Sequence, residues 1–203
     1  MKNAGVKGKR PALKIALVGL MAATIECAKL VLAFLPNIEA VTILTALYGY
    51  VFGFLGVLAA IVFVSIEPLI YGFNTWVVSY YLYWPFVAVI FMLLAKLKVK
   101  NRFILTGAAV LLTAWFGVLT SLVDIGLLSG FFENFWYRFG IYYVRGLPFY
   151  AAQLVTNLVL FLLLFPYLRG RLEKINPLEK IGKGAHKNAS LPFLFRFAQG
   201  KPK

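Results

Sequence analysis

The sequence predicts an all-α integral membrane protein with six transmembrane helices and both termini on the cytoplasmic side. Of its 203 residues 62% are apolar and only 14% are charged, and this leaves too little polar surface to cover a soluble globule. The apolar residues gather in runs long enough to cross a bilayer. Lys and Arg cluster between and beyond those runs, so the net charge of +14 describes membrane topology rather than a nucleic-acid surface.

In chain order, residues 1–14 form a basic leader and Leu13–Leu35 a first span. Glu26 and Lys29 interrupt this span, and Pro36-Asn37 punctuates its end. No small-residue cleavage site follows it, so it reads as a retained helix. The single cysteine, Cys27, lies in this span; it can form no intrachain disulfide and reads as a small core residue.

Residues 40–66 carry no charge. One long helix or two short ones would both accommodate them, and the charge clusters decide between the two. Of the 21 Lys and Arg, five lie in residues 1–14, four between Lys96 and Arg102, and nine from Arg169 onward. Two helices joined near Gly53-Phe54-Leu55-Gly56 put all three clusters on one side, as the positive-inside rule requires. Each half is then short for a hydrocarbon core of about 30 Å.

The later spans are Val78–Leu97, Phe103–Leu128 and Leu147–Leu168. The connections Pro36–Ala40, Glu67–Val77 and Ser129–Gly146 fall on the outer side. The last of these, rich in Trp, Tyr and Phe, suits the membrane interface and is expected to lie over the outer mouth. The six spans make one domain, residues 1–172, followed by a basic cytoplasmic tail, residues 173–203, that suits anionic lipid. No internal repeat is visible, which weighs against an inverted-repeat carrier.

Catalytic templates are missing. The only histidine, His186, lies in the tail, and there is no nucleophile elbow, His-Glu-x-x-His motif, phosphate loop or paired-cysteine metal motif. The reading is therefore a non-enzyme with no metal and no cofactor of its own.

The candidate site centres on Glu67–Pro85, where an acid, a proline, an asparagine and seven aromatic residues follow a long apolar run. Ionisable groups at membrane depth are expensive, about 2.5–3.5 kcal/mol on insertion scales, and such groups mark sites. Glu67, Tyr71, Asn74, Trp76, Tyr80, Tyr83 and Trp84 suit stacking and hydrogen bonding to an organic solute. An interface belt is the plainer use of the same rings. Glu26 has an ordinary reading as the partner of Lys29 three residues on. Asp124 sits near the outer end of the fifth span. Gln153 and Asn157, four apart, share a face of the sixth and can bond a solute or a neighbouring helix. Ala12 and Ala16, or Gly19 and Ala23, give the first span a smooth strip for close packing of another helix.

The order of these features resembles the substrate-binding S component of the energy-coupling factor (ECF) transporters, the vitamin-importing branch of the ATP-binding-cassette systems. The similarity spans Leu13–Leu172. It rests on the small-residue strip, on L-P-N-I-E-A-V-T at 35–42, on Y-G-Y-V-F-G-F-L-G at 48–56 and on E-P-L-I-Y-G-F-N-T-W at 67–76. It implies a prokaryotic plasma-membrane protein whose outward pocket is capped by the loops after the first, third and fifth helices, which adds Asn37, Glu39 and Arg145 to the candidate set. It further implies that the strip docks on a transmembrane scaffold subunit driven by two ATPases, and that the protein reorients in the membrane to release its vitamin. The cobalamin type is the closest in appearance; riboflavin, a pyridoxine-type vitamin or a queuosine precursor would also suit a Tyr/Trp/Asn-lined pocket. A standalone carrier using Glu26, Glu67 or Asp124 as a proton site is the reading from another class.

Overall fold

A computed structural model describes residues 4–35 and 38–178, with side chains from residue 11 onward. Among these residues the structure is all-helical, with six helices: α1 (Ala4–Leu32), α2 (Val41–Phe52), α3 (Phe54–Tyr71), α4 (Thr75–Lys96), α5 (Arg102–Ser129) and α6 (Phe135–Ile175). Five are long and apolar enough to cross a membrane; α2, with 12 residues, is the short one.

The uncharged run divides at Gly53, within the predicted joint. Gly53 has φ of +59°, a conformation open to glycine at little cost, and it serves as C-cap of α2 and N-cap of α3. The two halves then fold back closely. A Cβ on Gly56 would lie 2.3 Å from the Tyr48 carbonyl, and one on Gly49 would lie 2.3 Å from the Ala88 carbonyl of α4. Glycine at both positions lets α2 sit against α3 and α4 at backbone contact, and nine of its 12 residues are buried.

At the end of the bundle carrying the Lys96–Arg102 cluster, Phe91, Phe161 and Phe165 pack together with Tyr50. The Tyr50 hydroxyl donates to the Val99 carbonyl at 2.8 Å, and the Arg169 guanidinium lies over the Tyr50 ring. The opposite end gathers the C-termini of α1, α3 and α5 and the N-termini of α2 and α4. There the polar side chains meet.

Three boundaries differ from expectation. Glu67 belongs to α3, which continues through Pro68 to Tyr71, so it is a buried helical residue and not part of a connection. Proline within a helix removes one backbone bond, and the pairing of Lys29 with the buried Glu67 holds this turn against α1. The aromatic segment after α5 is mostly helix and not a separate connection. From Phe135 it is the first part of α6, a helix of 41 residues and so about 60 Å long. Arg138 closes the turn before it by donating to the carbonyls of Ser129, Gly130 and Phe132. Phe139, Tyr143 and Tyr150 then stack along one face, which helical spacing of 4 and 7 permits. Because α6 reaches Ile175, the expected domain boundary at residue 172 falls inside a helix. Most of the expected tail, from residue 179 onward, lies outside the described residues, as does Asn37. Cys27 is exposed on α1 and is not a core residue.

Candidate functional site

A cavity of about 320 Å³ opens between the helix ends at the polar end of the bundle. The last turns of α1 and the segment after it contribute Lys29, Leu32 and Ile38. Glu39 stands before α2, and α3, α4, α5 and α6 supply Tyr71, Tyr80 with Trp84, Phe116 and Gln153. A second cavity of about 270 Å³ adjoins it through Lys29, Tyr71 and Tyr80, and adds Glu67 and Trp76.

The walls are aromatic because α4 presents rings one turn apart. Trp76 and Tyr80 meet edge to face at 4.9 Å, Tyr80 and Trp84 at 5.6 Å, and Phe116 of α5 completes the group at 5.8 Å from Trp84. Such arrangements fix ring orientation beyond what area burial requires. Two polar atoms in this wall have no partner in the protein: the Trp84 indole N–H, a donor, and the Gln153 Oε1, an acceptor. Groups of this kind are costly when buried and unpaired, and both belong to residues that line the larger cavity.

Glu39 accepts three hydrogen bonds from two residues. It accepts from the Thr42 backbone N–H at 2.9 Å, from the Thr42 hydroxyl, and from the Asn157 amide at 3.3 Å. Asn157, wholly buried, also donates to Thr113 of α5 at 3.1 Å. Glu67 is wholly buried and pairs with Lys29. The Lys29 ammonium in turn sits 4.3 Å from the centre of the Tyr71 ring, 5.5 Å from Tyr80 and 5.9 Å from Trp76. Lys29 therefore bonds across to α3, and not along its own helix to Glu26.

The cavities bring together Glu39, Glu67, Tyr71, Trp76, Tyr80, Trp84 and Gln153 among the predicted residues, with Asn157 bonded behind Glu39. Tyr83 is buried against Trp84 and Phe116. Three residues stand apart. Asn74 is exposed and caps α4 by accepting from the Thr75 N–H, which is a frequent use of asparagine at a helix start. Asp124 accepts from Thr75 Oγ1 at 2.5 Å and from the Tyr142 hydroxyl at 2.7 Å, tying α4, α5 and α6 together. Arg145 lines a shallow apolar depression on α6 with Trp136 and Tyr137.

Lys29 and Phe116 were not among the predicted binding residues. A lone lysine at the end of an apolar span was the available signal for the first. Nothing local marks Phe116 among the many phenylalanines. The strip of Ala12, Ala16, Gly19 and Ala23 is exposed along α1, and a Cβ added at Gly19 would meet nothing within 4 Å. No family model, curated protein or solved structure matches the chain.

Proposed function

We propose that this chain is the solute-binding S component of an ECF-type importer: a multi-pass plasma-membrane protein of a prokaryote, with both termini cytoplasmic and the cavity facing outward. The observation that carries the reading is the aromatic cavity with an unpaired indole donor, an unpaired amide acceptor and a fixed carboxylate, Glu39, at the end opposite the Lys96–Arg102 cluster. A flat heterocycle with donors and acceptors at its edge complements those groups. The volume of about 320 Å³ lies at the small end of the usual range for ligand sites, about 300–1,000 Å³. It therefore favours a riboflavin-, pyridoxine- or queuosine-precursor-sized solute over a corrinoid.

The exposed small-residue face of α1 supports docking on a separate scaffold, which would bring two ATPases. The decisive experiment expresses the chain with and without an ECF scaffold and its ATPases. Solute binding by the purified protein should need neither ATP nor partners, while uptake should need both. Uptake of equal rate without the module would refute the reading. Collapse of uptake with the proton gradient at constant ATP would instead favour a standalone carrier, for which the buried Glu26 and Glu67 speak.

A further inference from the structure

Three carboxylate oxygens that lack any donor meet where α1 packs on α3. Glu26 is 7% exposed, and neither of its oxygens has a hydrogen-bond partner. Glu67 is wholly buried; its Oε2 pairs with Lys29 and its Oε1 has no partner. Lys29, one helical turn after Glu26 on α1, reaches Glu67 on α3, so the two acids lie on facing sides of the α1–α3 contact. Ionised carboxylates only accept hydrogen bonds, so neither can satisfy the other. Two negative charges side by side in a low-dielectric interior also repel strongly.

The surroundings do not repair this. The other ionisable groups near the pair are Tyr71 of α3, Tyr80 of α4 and Glu39 before α2, while Tyr48 of α2 is engaged with Thr24. None of these is a cation. Two carboxylates thus face a single ammonium, Lys29.

We propose that Glu26 and Glu67 share one proton and with Lys29 form an electroneutral proton-binding site between α1 and α3, joined to the cavities through Lys29. A hydroxyl on one carboxyl, directed at the other, supplies a missing donor and leaves one negative charge opposite one positive charge. The group is then neutral as a whole, the form in which ionisable side chains are least costly within a membrane protein.

The site is placed to respond to a solute, because Lys29 lines both cavities. An anionic group that draws the ammonium away from Glu67 leaves one uncompensated negative charge on the pair, and a second proton neutralises it. Binding of an anionic solute therefore takes up a proton; binding of a neutral solute does not. The site does not depend on whether a scaffold subunit drives transport.

Infrared spectroscopy of the full-length protein in lipid nanodiscs tests the proposal through the C=O stretch of a protonated carboxyl in a dry environment. At neutral pH the wild type should show this band. Glu26→Gln should lose it, since the amide can donate to Glu67 in place of the proton. Glu67→Gln should lose it as well, because Lys29 then pairs with ionised Glu26 three residues away. Lys29→Met should roughly double it, as the pair takes a second proton once the ammonium is gone. A wild-type spectrum without the band, a band that survives either glutamine substitution, or no gain in Lys29→Met overturns the shared proton.

Discussion

The side-chain amide of Asn157 donates to the Glu39 carboxylate at 3.3 Å, joining two points 118 residues apart. The same amide reaches Thr113, so one buried residue of α6 connects α5 to the start of α2 behind the cavity. Asn157→Leu keeps a similar volume and removes both bonds. The loss should be about 1–3 kcal/mol, since the Thr113 hydroxyl stays buried, read as a lowered midpoint of thermal unfolding in detergent. Asn157→Asp should be worse, because it sets a second carboxylate against Glu39.

Two helical glycines, one in α2 and one in α5, give a contrast. At Gly49 a Cβ would enter the Ala88 backbone, whereas at Gly107, in the second turn of α5, it would meet nothing within 4 Å. Gly107→Ala should therefore stabilise by up to about 1 kcal/mol, the ordinary helical preference for alanine. Gly49→Ala should destabilise by about 1–3 kcal/mol through overpacking that neither backbone can relieve. Equal unfolding midpoints for the two variants would show that the close approach of α2 and α4 does not matter.

These features differ in how legible they were from sequence. The break at Gly53 could be read because charge placement is global: only a split run puts the three basic clusters on one side. The aromatic wall was legible as composition, since Trp76, Tyr80 and Trp84 recur at helical spacing. Individual partners were not. Glu67 was read as a loop acid because it ends the uncharged run, yet its pairing with Lys29 depends on how α1 and α3 meet, which no local pattern encodes. Residues 135–146 resembled an interfacial loop because Phe, Tyr and Trp suit an interface and a helix face equally well. The stacking of Phe139, Tyr143 and Tyr150 resolves that ambiguity only in three dimensions.

Trp84→Phe separates binding from packing. The indole N–H has no partner in the protein, so its removal should leave stability within about 1 kcal/mol. If the N–H donates to the solute, affinity should fall roughly threefold to tenfold, the value of one neutral hydrogen bond. Titration with the solute that copurifies with the protein, identified by mass spectrometry, is the measurement. Unchanged affinity would take the indole out of the site.

Asp124 is expected to act on structure rather than on the solute. Its two oxygens accept from Thr75 and Tyr142, and it lines neither cavity around Lys29. Asp124→Ala should release the first turn of α4, raising amide hydrogen exchange across residues 72–77 and costing about 1–3 kcal/mol of stability. Solute affinity should change less than in Trp84→Phe. A larger loss of affinity without faster exchange would return Asp124 to the binding residues.

The small-residue face of α1 supports the last prediction. Ala16 and Ala23 are exposed, so a larger side chain at either meets no neighbour within the protein and should leave folding and solute affinity intact. If the face docks on a scaffold helix, close approach is what small residues permit, and a bulky residue opens the interface along its length. Ala16→Trp and Ala23→Trp should therefore bind solute as the wild type does, yet fail to copurify with the scaffold and lose most uptake. The two positions lie seven residues apart on one face. If only one substitution impairs uptake, the interface lies at that end of the strip; if neither does, α1 faces lipid alone and coupling must use another surface.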